Sequence, residues 1–229
     1  MSVVDLRVWR VGSAAPALLR MATGRRRLRG VPGLRFAKLL GTGSGRTFTP
    51  RDADPHHWAL LTVFDDVAPA DDFAGSRLVA GWESAAQERL RVRMVPLSAR
   101  GRWSRTEPFD ASEPPSADAV RGAPVAAITR ARLRPARALS FWRAVPPVID
   151  DLGTASGLRM AIGIGEAPIG LQGTFSLWDS SRDLVDFAYR SAAHRSAVDR
   201  TDAAGWYAEE LFARFVVLDV EGTYRGRTP

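Results

Sequence analysis

Cysteine is absent from all 229 residues, which removes disulfide staples, thiolate nucleophiles and cysteine-held metals together. Lysine is nearly absent as well. Lys38 is the single example among 32 basic residues, so the net charge of +7 is an arginine charge. Acidic residues are interspersed along the chain, and only Arg25, Arg26, Arg27 and Arg29 form a dense basic cluster. A solvated helix end is the plain reading of that cluster, contact with an anionic partner the other, and a nucleic-acid partner is not expected. Apolar runs such as 123–128 and 212–220 are far shorter than a membrane span. No basic start leads into a long apolar core and a small-residue cleavage site, so no signal peptide and a cytoplasmic location are expected.

What the chain does have is repetition. Residues 33–43, GLRFAKLLGTG, recur in altered form as 157–167, GLRMAIGIGEA. The apolar stretch ending in Phe64-Asp65-Asp66 has a counterpart ending in Trp178-Asp179-Ser180, and Asp72-Phe73-Ala74 recurs as Asp186-Phe187-Ala188. A duplicated order of elements implies two fused, similar units. At the same offset, the later copy has His194 where the earlier has Ala80.

Alternation over 2–11 predicts a half-buried strand, and 14–23 a helix ended by Gly24. Strands at 34–40, 58–64 and 89–97, a loop over 41–56 and a helical region around 70–86 complete a βαββαβ unit covering 1–103. Residues 104–122, with Pro108, Pro114 and Pro115, read as a surface linker. The second unit, 123–229, repeats the order: strand 123–133, helix 136–150, strands 157–164 and 171–178, helix 180–198, a short helix near 203–212 and strand 213–221. Each set is the ferredoxin-like motif. One such sheet leaves an apolar face bare, and packing two together closes a barrel. The expected fold is therefore α+β, two fused ferredoxin-like repeats forming one barrel. Two tethered independent domains are the runner-up.

Few residues suit catalysis. His194, in FAYRSAAHRSAVDRT, lies on a helical pattern among small residues with Phe187 near the same face, and a neutral imidazole there suits a metal or a planar metallo-cofactor. His56 and His57 on extended backbone point to opposite sides, so they do not share a metal; His56 is a candidate proton donor. Glu209 and Glu210 read as dipole-compensating acids early in a short helix. Arg214 opens the last strand, where Glu210, a cofactor carboxylate or bound oxygen would pair it. The glycines of GTGSG and GIGEAP lead into strands and lack phosphate-binding spacing.

The stretches RFAKLLGTGSGRTFTP (35–50), HHWALLTVF (56–64), AAITRARLRP (126–135) with Phe141-Trp142, GIGEAP (163–168), TFSLW (174–178), AHRSAV (193–198) and WYAEELFARF (206–215) resemble the spheroidene monooxygenase family, over about 33–226. The chain departs from that pattern at Ala37, where a bulky aromatic is expected. The resemblance implies a haem-dependent oxygenase on a dimeric α/β barrel, with the haem in the C-terminal repeat. It makes His194 the axial iron ligand of haem b, with Phe187, Trp178 and Trp206 around the cofactor. His56, Arg214 and Glu210 are the candidate catalytic side chains. An apolar or specialised-metabolite substrate would lie in the cleft between the sheets and be hydroxylated or ketolated with O2 or peroxide. Electrons would come from an external donor, because no flavin or nicotinamide site is visible; a homodimer stays open. A cofactor-free monooxygenase, a haem dehydratase or a non-catalytic small-molecule-binding module are the alternatives.

Overall fold

The computed structural model describes residues 1–43, 52–137, 140, 152, 154–166, 171–190 and 206–229. Strand β1 (Val3–Val11) leads into α1 (Ala14–Arg27), then β2 (Leu34–Gly43), β3 (Ala53–Phe64), α2 (Val67–Ala74), α3 (Arg77–Glu83) and β4 (Ala86–Gly101). After a single turn, α4 (Ala117–Val120), come β5 (Val125–Leu133), β6 (Leu158–Gly165), β7 (Leu171–Trp178), α5 (Ser181–Arg190) and β8 (Tyr207–Gly222). The eight strands close in the order β1-β3-β2-β6-β7-β5-β8-β4. Each repeat supplies the four-stranded sheet of a ferredoxin-like unit, β4-β1-β3-β2 and β8-β5-β7-β6, so the α+β two-repeat barrel expected from the sequence is the fold observed.

The duplication extends to irregularities. The β2–β3 register slips between Leu34 and Phe36, and the β6–β7 register slips between Leu158 and Met160, the same place in each repeat. A register shift of this kind bends the strand and increases its twist. Helix starts follow local chemistry: the Asp66 carboxylate accepts from the Val67 amide, and the Ser76 and Ser180 hydroxyls accept from the amides of Val79 and Asp183.

Inward side chains fill the barrel. Val4, Leu6, Val8, Leu61, Met94, Ile128, Ile162, Phe175, Leu177 and Phe215 belong to one continuous buried cluster. Among the described residues this cluster fills the space between the two sheets, and a pocket of about 600 Å³ lined by Arg35, Phe36, Ala99 and Phe109 opens beside it. Phe109, from the stretch read as a surface linker, is also in that core and meets the Phe215 ring edge-on at 4.9 Å. Its neighbours are polar and proline-rich, which hides one apolar anchor from a compositional reading.

Other expectations shift for similar reasons. The helical region 70–86 is two helices, α2 and α3, parted at Gly75, with strand already resumed at Ala86. The loop read over 41–56 is shorter, since β2 runs to Gly43 and β3 begins at Ala53. The short helix near 203–212 is corrected over 207–212, which is strand. There Glu209, Leu211, Ala213 and Phe215 alternate with Glu210, Phe212 and Arg214, a period of two that a helical reading of the paired acids obscured. Of the helices expected over 136–150 and 180–198, residues 141–150 and 191–198 lie outside the described residues; Pro135–Arg137 is a 3-10 turn.

Both 16-residue strands, β4 and β8, end on a positive-φ glycine: Gly101 at +88° and Gly222 at +93°. A Cβ on Gly222 would stand 2.1 Å from the Arg89 carbonyl oxygen, and one on Gly101 2.2 Å from that of Glu210. Gly222→Ala and Gly101→Ala should each cost about 3 kcal/mol or more in urea unfolding, because backbone cannot move aside cheaply.

Candidate functional site

Strand register lets the two repeats be compared residue by residue on the outer face, where helices pack. Val3 opposite Phe64 corresponds to Val125 opposite Trp178. One step along, Asp5 sits between Thr62 and Arg93, and its counterpart Ala127 sits between Ser176 and Arg214. Next, Leu39 and Leu60 correspond to Gly163 and Thr174. Last, Trp9 opposite Trp58 corresponds to Ala131 opposite Gln172.

In the first repeat this floor is filled. The Trp9 and Trp82 rings stack at 5.4 Å, Trp58 lies 6.3 Å from Trp82, and Leu39 and Leu60 are buried beside them. In the second repeat every one of those large floor residues is replaced by a small or polar one. The connection in sequence is longer there: 21 residues separate β3 from β4, and 28 separate β7 from β8.

Charge differs as sharply as volume. Arg93 donates to the buried Asp5 carboxylate through Nε at 2.8 Å and Nη2 at 3.0 Å, and to Asp71 at 2.6 Å. These bonds hold the guanidinium protonated against the opposing effect of burial. Arg214 takes the Arg93 position, but Ala127 replaces Asp5 and, by the repeat offset, Val185 replaces Asp71. Among the described residues the half-buried Arg214 guanidinium makes no hydrogen bond or ion pair.

The expected site residues separate into groups. Trp178 and Phe187 meet, with ring centroids 5.4 Å apart, where α5 crosses β7. Arg214 and Glu210 share the outer face of β8 with them, on either side of Phe212. Trp206 is buried just before β8, its indole donating to the Ser140 hydroxyl at 2.9 Å. His194 lies outside the described residues; its offset partner Ala80 is exposed on α3, between buried Val79 and Trp82. His56 is not brought to this face. It is exposed on β3, which stands across the ring of strands from β5, with its ring nitrogen 3.1 Å from the Val11 carbonyl oxygen.

Two polar clusters inside the barrel ends were missed from sequence. At one end Lys38 donates to Glu166 and to the Ser104 hydroxyl, each at 2.6 Å. The Trp103 indole donates to the other oxygen of Glu166, Arg130 pairs with Glu209, and Glu209 accepts from the amides of Ser104 and Arg105. At the opposite end buried His57 bonds Asp54 at 2.8 Å, and Glu88 accepts from the Thr223 hydroxyl and the amides of Arg225 and Gly226. Lys38, Arg130, Glu166 and Glu209 each lie in a different one of the quoted motifs, the signal that could have grouped them.

The fold defines a class: a dimeric α/β barrel whose two halves are carried by one chain. Aldoxime dehydratase in complex with butyraldoxime has this shape, with a TM-score of 0.62 over 96% of this chain and 82% of its own, at 13% identity. No protein-family model matches the chain. Spheroidene monooxygenase of Rhodobacter capsulatus is 38% identical over 212 residues, 91% of this chain and 86% of the relative. That of Rubrivivax gelatinosus is 42% identical over 199 residues, 86% and 74% of the two chains. The chain belongs to the spheroidene monooxygenase family, a family of oxygenases.

Acid should probe the barrel ends. Burial pushes Glu88 and Glu209 up, but the amide and side-chain donors around each outweigh it, and both carboxyls are held below the ordinary glutamate value of 4.5. A carboxyl lowered in the folded state adds stability above its unfolded value and loses it as pH falls through the folded one. The unfolding temperature should therefore be level near neutrality and drop below about pH 4.5. Glu88→Gln and Glu209→Gln should each flatten that acid limb; an unaltered limb in both would contradict the assignment.

Proposed function

We propose that this chain is a haem-dependent oxygenase that oxidises an apolar or specialised-metabolite substrate with O2 or peroxide, and that haem b lies on the outer face of the second repeat with His194 as its axial ligand. One observation carries the reading: the floor of that repeat has lost both the bulk and the acids of its twin while keeping the arginine. Removal of Trp, Trp, Leu and Leu side chains from a packed layer leaves a cavity costing several kcal/mol unless something fills it. An arginine stripped of its carboxylates likewise needs an anion. A flat, largely apolar macrocycle with carboxylate arms meets both needs.

The residues present fit that group. Ala127, Thr129, Ala131, Gly163, Thr174 and Ser176 form the level surface, and Trp178 with Phe187 closes one margin against water. Trp206 is the remaining aromatic of the set. Arg214 would bind a propionate, and Glu210 on the same face could hold or pass a proton. His56 has no part here, since it lies on the other repeat. When bound, haem supplies a redox iron able to use O2 or peroxide, and an external donor supplies electrons. The protein's work is to exclude water around the reacting carbon and to orient the substrate.

Haem titration followed by the Soret band tests the reading without any turnover assay. The unaltered chain should bind one equivalent, and His194→Ala should bind none while remaining folded. Ala131→Trp, which restores the bulk of the first repeat, should weaken binding roughly ten- to a hundredfold. Ala127→Asp, which rebuilds the Asp–Arg pair, should stabilise the haem-free protein yet loosen haem roughly tenfold. Equal haem affinity in all four proteins would contradict the site.

A further inference from the structure

Helix α1 is apolar on two sides. Ala17, Met21 and Gly24 face the core, with Ala17 and Gly24 buried, while Leu18 and Leu19 are 58% and 66% exposed. Ala15, Leu18, Leu19 and Ala22 are all exposed and spaced i, i+3, i+4, i+7, so they form one apolar stripe facing away from the protein. Arg25, Arg26, Arg27 and Arg29 continue it, all exposed, and among the described residues none makes an ion pair. Beside the stripe, between α1 and α3, runs a groove of about 440 Å³, bordered by Pro16, Leu19, Arg20, Arg27 and Trp82. The Arg20 guanidinium lies over the Trp82 ring at 6.0 Å.

Five basic side chains, Arg20, Arg25, Arg26, Arg27 and Arg29, lie on or just beyond α1, in a stretch of sequence free of acids. Residues 6–51 hold eleven Arg and Lys side chains and no acid, so the rest of the chain carries a net −4 against +7 for the whole. Three arginines in the last turn also suit the helix dipole, but a dipole explains neither Arg29 beyond the helix nor the exposed leucines.

We infer that α1 docks this protein on an anionic lipid bilayer, with Leu18 and Leu19 entering the headgroup boundary and the arginines lying on the lipid phosphates. An apolar stripe joined to a basic end, about 21 Å long as a helix, is the composition of an interfacial helix. A purely polyanionic partner would have no use for the leucines. An acidic electron donor is disfavoured by position: α1 packs on β2 and β3, while the floor proposed for haem is built on β5, β7 and β8. Only that last exclusion rests on the haem reading; the residues of the inference and its test involve the first repeat alone.

Co-sedimentation of the full chain with vesicles decides it. The protein should pellet with phosphatidylcholine vesicles containing phosphatidylglycerol and stay in the supernatant with phosphatidylcholine alone, and added salt should weaken the binding. Replacing Arg25, Arg26 and Arg27 by Gln should lower partitioning roughly a hundredfold, each basic residue at such a surface contributing about a factor of five. Leu18→Ser with Leu19→Ser, at exposed positions that leave the fold intact by circular dichroism, should lower it roughly tenfold. Failure to pellet with anionic vesicles would overturn the inference. So would binding that needs the arginines but ignores the leucines, which would mark a soluble polyanion as the partner.

Discussion

The antiparallel pairing of β4 with β8 is the constraint on which the rest of the structure depends. These two strands, one from each repeat, run side by side from Leu90 opposite Gly222 to Gly101 opposite Leu211. Each carries a carboxylate near its start that holds the turn following the other. Glu88 on β4 binds the turn after β8, and Glu209 on β8 binds the turn after β4. The bonds go to backbone amides, which a side-chain change in the turn does not remove. A slip of one residue would break both sets and send every core side chain to the wrong face. At the other seam, β2 and β6 share three paired positions among the described residues.

Once that register is fixed, the strands of the two outer faces correspond position by position and carry different side chains. The first is a finished core: a tryptophan cluster and an arginine held between two carboxylates. The second keeps the same strands and the same arginine with the tryptophans and carboxylates gone. Duplication followed by divergence of one floor accounts for why a barrel with two similar halves would have one chemical centre. It also separates stability from function, since the filled half can anchor the fold while the other half is open to change.

The sequence showed the repeat order and the strand ends at Phe64 and Trp178, because those signals are local and duplicated. It misplaced what depends on neighbours far along the chain. Glu209 and Glu210 look like adjacent helix acids until strand alternation sends one into the barrel and one out. Lys38, the lone lysine, gave no hint of Glu166, 128 positions away. Phe109 sits in a proline-rich stretch whose composition belies its burial. The loss of acids around Arg214 was invisible until Ala127 could be set against Asp5 by register. Of the two histidines expected to point opposite ways on extended backbone, the sequence did not say that His57 would be the buried one.

The most direct measurement is an absorption spectrum of the purified full chain after mixing with haem and removing the excess. An intense Soret band that stays with the protein and shifts on reduction is the expected result, showing that the chain holds an iron porphyrin. A folded protein that emerges colourless would contradict the account, leaving the two-repeat barrel without the centre assigned to it.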